Sequence, residues 1–119
     1  MYELVFWKYL EGVYLNHQIV YEALMEEETV EGLETLPVGV IINRIASVFS
    51  KWERVDDNSW KNPNGKGAFQ VKTTSQSVQI DCYGTEGKSM DILVGVLEEY
   101  KCPLYDPQIP ERYDEVWEQ

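Results

Sequence analysis

Two runs of period two, separated by four polar residues, constrain this chain more than any other feature. Phe69, Val71 and Thr73 alternate with Ala68, Gln70 and Lys72, and Val78, Ile80 and Cys82 alternate with Gln79, Asp81 and Tyr83. Successive side chains on a strand point to opposite faces, so this pattern predicts a β-hairpin with one buried face, turning at Thr74–Ser77. The turn lacks the Asn-Gly pair of the tightest hairpins. Met90, Leu93, Val96, Leu97 and Tyr100 then recur at helical spacing, and Cys102–Tyr105 (CPLY) returns as a short extended run. The second half of the chain therefore predicts strand, strand, helix, strand, with a core between sheet and helix. Gly84 and Gly87 suit the strand-to-helix turn, and Ser89 suits a helix cap.

The first half supplies the remaining elements. Tyr2–Leu10 is rich in aromatic and β-branched residues and apolar on both alternating sets, which predicts a central strand or a covered edge. Asn16 is placed to cap a helix from His17 to about Glu28, with Ile19, Val20, Ala23 and Leu24 as its apolar stripe. Glu26, Glu27 and Glu28 fall at the end of that helix, where the macrodipole disfavours anions. Residues 29–36 form a loop carrying Glu31 and Glu34. Pro37 suits the first turn of a second helix, and Val38, Ile41, Ile42, Ile45, Val48, Phe49 and Trp52 give it a wide apolar face, leaving Arg44 and Lys51 solvated. Glu53–Trp60 reads as one strand, and Lys61–Gly67 as a loop. The predicted fold is α+β: a mostly antiparallel sheet of four to five strands packed by about three helices, in the order β-α-α-β-β-β-α-β. Residues 106–119 form a C-terminal extension of a single domain, with Ile109, Tyr113, Val116 and Trp117 apolar enough to lie back on the body.

At 119 residues the chain is long enough to bury a core without metal or disulfide support. Its 44% hydrophobic content argues against disorder. No apolar run approaches the roughly 18–20 residues of a membrane span, and the N-terminus lacks the basic start of a signal peptide, so a cytoplasmic location with no membrane partner is expected. The formal charge is −11, and it is uneven: residues 1–36 carry −7, residues 37–76 carry +3, and residues 77–119 carry −7. Such a field repels nucleic acid and favours a basic protein partner.

Few motifs carry chemistry. Gly84–Ser89 (GTEGKS) sits where a phosphate-binding loop would, but it is two residues short and presents Glu86 to the phosphate. His17 could act as a general base beside Glu22 or Asp81. Adjacent acids on a strand point to opposite faces, so Asp56 and Asp57 do not converge, and Glu98 and Glu99 diverge on a helix. Cys82 and Cys102 lack metal-ligand spacing and are expected to be reduced core thiols. No cofactor and no metal is expected, and no catalytic residue is assigned.

The segments WERVDDNSW (52–60), SVQIDCYG (77–84) and CPLYDPQ (102–108), on a small acidic α+β frame, resemble bacterial immunity-type proteins. Those proteins neutralise the toxins of polymorphic and contact-dependent inhibition systems. The resemblance implies a non-enzymatic inhibitor that occludes a basic, nuclease-like toxin domain, and it assigns no individual residue a role. On charge and aromatic content the candidate partner-binding residues are Glu26, Glu27, Glu28, Glu31, Glu34, Asp56, Asp57 and Trp60, the acids steering and Trp60 anchoring. Two alternatives stand beside this reading: a small enzyme using His17 or clustered carboxylates, and an acidic mimic of nucleic acid. Oligomeric state is left open.

Overall fold

Tyr2–Phe6 (β1) is the strand on which both layers of the molecule are built. The computed structural model describes residues 1–113. After β1 come His17–Met25 (α1), Val38–Val48 (α2), Glu53–Asp56 (β2), Ser59–Lys61 (β3), Ala68–Thr73 (β4), Val78–Tyr83 (β5), Gly87–Glu98 (α3), Leu104–Asp106 (β6) and Glu111–Arg112 (β7). The strands form one seven-stranded sheet in the order β2-β3-β4-β5-β1-β6-β7, and every pair is antiparallel. The fold class is α+β, as expected.

The apolar character of both sets in β1 has a direct consequence. Leu4 and Phe6 join Phe69, Val71, Val78, Ile80 and Cys82 on one face of the sheet, covered by Ile41 and Ile45 of α2 and by Leu93, Val96 and Leu97 of α3. Val5 and Trp7 face the other way and pack with Val20 and Leu24 of α1, Leu33 and Tyr105. α1 covers only part of that second face. Beyond it, Ser59, Lys61, Gln70 and Tyr83 line an open stretch of sheet. Gly67 sets the approach of the 61–67 loop to the turn after β5. Its φ is +114°, and a Cβ there would stand 2.8 Å from Thr85 Cα. Only glycine takes that conformation and that contact together.

Several expectations are corrected. The sheet has seven strands rather than four or five. The run Glu53–Trp60 is a hairpin, because Asp57-Asn58 interrupts it: the Asn58 N–H donates to Asp56 Oδ1 at 2.9 Å, and Ser59 returns opposite Asp56. The extension expected from residue 106 begins inside β6 and turns back as β7. There Arg112, not Ile109 or Tyr113, is buried; Val116 and Trp117 lie outside the described residues. α1 stops at Met25 rather than Glu28, and α2 at Val48, so Trp52 packs on Phe49 and Phe69 from beyond the helix. α3 starts from Glu86, which makes no side-chain cap, while Ser89 is buried within the first turn. Ile19 lies outside the core. Arg44 is solvated as expected, and also forms a two-armed pair with Glu99, at 3.0 and 3.2 Å.

Candidate functional site

The acids singled out by the sequence sort themselves along α1 and the loop that follows it. Asn16 starts the helix as expected, its Oδ1 accepting the Ile19 N–H at 3.1 Å. The helix ends in a Schellman cap: the Glu28 N–H reaches Ala23 O at 3.0 Å and the Glu27 N–H reaches Leu24 O at 3.0 Å. Glu27 occupies the left-handed position, with φ +58°. Glycine is the usual residue there, because a Cβ crowds the following carbonyl. The same turn concentrates three carboxylates at the negative end of the helix dipole. At Glu27 backbone and electrostatics both disfavour a Glu, and at Glu26 and Glu28 the helix dipole alone does.

The loop of residues 29–36 is fixed, not free. The Gln76 carboxamide closes a ring on the Val30 main chain: Oε1 accepts from Val30 N at 2.9 Å and Nε2 donates to Val30 O at 2.8 Å. Leu36 N donates to Ser75 O at 2.8 Å, Glu34 N to Lys8 O at 2.8 Å, and Leu10 N to Gly32 O at 2.9 Å. The loop is thereby stitched to the β4–β5 turn on one side and to the continuation of β1 on the other. Glu34 pairs with Lys8 at 2.9 Å. Among the described residues, Glu26, Glu27, Glu28, Glu31 and Asp57 form no salt bridge.

Asp56 and Asp57 come to the same end of the sheet. Asn58, next to them, accepts from Val71 N at 2.8 Å. Glu27 lines a cleft of about 290 Å³ with Lys72, Thr73, Thr74 and Ser77, the closing residues of the same hairpin. The structure therefore places Glu26–Glu28, Glu31, Glu34, Asp56 and Asp57 around the Thr73–Ser77 end of the molecule. Trp60 is the exception among the sequence candidates. It is 1% exposed, stacks on Phe69 with centroids 5.3 Å apart, and has the Arg54 guanidinium over its ring. A side chain sealed into the core cannot anchor a partner, so Trp60 is a core residue and not the anchor expected of it.

His17 lies at the start of α1 inside an aromatic cluster. The Tyr9 hydroxyl stands 2.8 Å from its Nδ1, and the rings of Tyr14 and Tyr105 flank it at 5.0 and 6.3 Å. The Arg112 guanidinium lies over Trp7 and Tyr9, at 5.1 and 4.6 Å, and donates to Trp7 O at 2.6 Å. The carboxylates expected beside His17 are engaged elsewhere. Glu22 accepts from Gln18, while Asp81 meets Lys72 at 3.0 Å and Gln79 at 2.9 Å. Gln79 also donates to Glu3, the cross-strand neighbour of Asp81, and Tyr21 of α1 donates to Glu3 from the other side. This network holds α1 on the sheet. Burial and then the bond to Glu3 push the Tyr21 hydroxyl well above its ordinary value, and the bond to Asp81 raises Lys72. Burial pushes the thiols of Cys82 and Cys102 up to about 11 and about 12, which leaves neither a nucleophile at neutral pH.

Among the described residues, no group of three or more His, Cys, Asp or Glu stands where it could hold a metal ion, and no helix is long and apolar enough to cross a membrane. Sequence reasoning missed the exposed apolar residues around the start of α1: Leu10, Tyr14, Leu15 and Ile19 are 45%, 50%, 38% and 66% exposed. Their signal was the interval they belong to. From Tyr9 to Asn43 the chain has seven carboxylates and not one Lys or Arg. What this surface does has to be argued from its own residues, since no protein-family model and no curated protein matches the chain.

Proposed function

We propose that this protein is a binding inhibitor that meets one basic partner protein through its acidic hairpin end, in the manner of an immunity-type protein occluding a nuclease-like toxin domain. One observation carries the reading. Glu26, Glu27, Glu28 and Glu31 stand without salt-bridge partners among the described residues, on backbone held by a Schellman cap and by the Gln76 ring. At the end of α1, though not at Glu31, local stability argues against Glu. A chain that keeps carboxylates at a locally unfavourable turn has another use for them, and charges carried on a fixed backbone pair with a partner at a lower ordering cost than charges on a mobile loop. Asp56 and Asp57 extend the same rim. The expected partner is basic, because exposed acids steer cations and speed encounter.

The test is a pull-down at low salt, followed by stopped-flow association of the captured protein across ionic strength. Charge reversal at Glu26, Glu27 and Glu28, and separately at Asp56 and Asp57, should slow association at least about tenfold and flatten its salt dependence. An association rate that ignores both reversals removes the acidic rim as the binding surface.

A further inference from the structure

The acids supply steering, but steering alone binds weakly, and with Trp60 sealed in the core the rim has no apolar centre of its own. The outer surface around the start of α1 has one. Leu10, Tyr14, Leu15 and Ile19 are exposed within a single ten-residue stretch, and the packing brings that stretch together. The Tyr9 and Tyr14 rings stand 5.2 Å apart, and the Tyr9 hydroxyl donates to Leu15 O at 3.2 Å. A Cβ built at Gly32 would lie 3.0 Å from Val13 and 3.5 Å from Leu15, so the Glu31–Leu33 strip borders the patch. On the helix, Ile19, Glu22 and Glu26 follow at spacings of three and four, which puts them on one stripe. Ile19 and Glu22 are exposed, and Glu26 is the exposed cap. On α1 the stripe of Ile19, Glu22 and Glu26 therefore leads from the apolar stretch toward the acids at the helix end.

We infer that this outer face of α1 with residues 10–15 is the centre of the partner interface, and that it takes a basic protein surface carrying a protruding apolar side chain, with Ile19 and Leu15 as the anchors. This rests on the proposed function and says where the binding energy lies. Charge complementarity selects the occupant. Glu11, Glu22, Glu26 and Glu31 lie in the same stretch of chain, which from Tyr9 to Asn43 has no Lys or Arg, and the Arg112 guanidinium that lies over Tyr9 is buried rather than presented to a partner. A second copy of this chain would bring the same acids against themselves. An anionic lipid surface or a nucleic acid would meet the same repulsion. A basic surface gains from the ring of acids, and its apolar side chain gains from Ile19 and Leu15 once the rim excludes water.

Two helical peptides serve as probes: one with Lys and Arg flanking a Leu-Phe pair, and one identical except for Ser at both apolar positions. Backbone amide shifts of the labelled full chain report where each binds. The apolar peptide should perturb residues 10–31 and centre on Leu15, Ile19 and Glu22. Ile19→Ser should weaken it about tenfold or more while leaving the Ser peptide and the far-ultraviolet spectrum unchanged, since Ile19 is largely exposed and belongs to neither core cluster. Leu15→Ser is the second variant, with the same expectation. Equal affinity for the two peptides, indifference to both substitutions, or shifts centred on Val55 and Tyr83 of the open sheet face would overturn this inference while leaving the acidic reading in place. If neither basic peptide binds better than a neutral one of the same length, the acidic reading falls with it.

Discussion

Glu27 and Lys101 take the same unusual backbone conformation and make opposite electrostatic choices in it. Their φ angles are +58° and +60°, and each sits in the left-handed position after a helix. At Lys101 the Lys101 N–H reaches Glu98 O at 3.0 Å and the Cys102 N–H reaches Leu97 O at 3.1 Å, the same pair of bonds that closes α1 at Glu27. A side chain in this region costs about 1–2 kcal/mol, part of which glycine gives back through the entropy it loses on folding. Lys101 recovers something by placing a cation against the carbonyl end of α3, whereas Glu27 places an anion against the carbonyl end of α1. Glu27→Gly should therefore stabilise the protein by about 0.5–1 kcal/mol in urea unfolding, and Lys101→Gly by less. A Glu27→Gly protein no more stable than the parent would remove the argument that this acid is kept against local stability. Single residues were legible where their neighbours in sequence decided them. Asn16 as a cap and Cys82 on the inner face follow from position and period. Trp60 was not, because in sequence it stands between Asp56-Asp57 and a turn-rich loop while its burial depends on Phe69 across the sheet.

At the level of elements, the sequence was clearest where one period ran unbroken, as in β4, β5 and the apolar face of α2. The interrupted run Glu53–Trp60 misled because its β-formers read as continuous, although Asp56-Asp57-Asn58 is itself a turn signal. The loop of residues 29–36 was legible as a loop by composition, but not as a fixed one. Its fastening depends on Gln76, forty-six positions from Val30 in the chain. Among the described residues that amide is the side-chain partner of both Val30 backbone groups, so Gln76→Ala leaves a donor and an acceptor to find water in a mostly covered place. The expected cost is about 1–3 kcal/mol. Amide exchange at Val30 should speed up locally, while amides in β4 and β5 keep their protection relative to global stability. Gln76→Glu keeps the acceptor but turns a carboxylate oxygen toward Val30 O in a covered place, and should cost at least as much as Ala. If Val30 exchanges no faster in Gln76→Ala than in the parent, the loop is held by its other bonds, and the acids do not owe their fixed geometry to Gln76.

Taken whole, the molecule has a formal charge of −11 concentrated in its two terminal thirds, over a core that buries two thiols and leans on tyrosine–carboxylate bonds. Screening should therefore relieve self-repulsion, and moderate salt should raise the unfolding midpoint rather than lower it. The exposed Arg44–Glu99 pair is too well solvated to reverse that sign. The alkaline limit follows from two buried thiols and one carboxylate-bonded tyrosine. Burial holds Cys102 at about 12 and Cys82 at about 11, against 9.0 for a free thiol. The bond to Asp106, with some burial, holds Tyr2 at about 12, against 10.0. Each group has its folded value above its unfolded one, so the unfolded chain releases protons first as pH rises. Their contribution is complete below pH 9 and shrinks as pH climbs from there toward the folded values. A single thiol so held contributes a slope approaching about 1.4 kcal/mol per pH unit within that window. Urea midpoints should therefore stay level from pH 7 to about 8.5 and fall steeply above 9. Cys102→Ala should be less stable at pH 7 yet lose stability more gradually between pH 9 and 10, because one of the two titrating thiols is gone. The same burial predicts that a thiol reagent at pH 8 finds neither cysteine until the chain unfolds, with both reacting together at the rate of global opening. A midpoint that stays level to pH 11, or a thiol that reacts at once in the folded protein, would place at least one cysteine at the surface and break the packing of β5 or of the turn into β6 on which both layers depend.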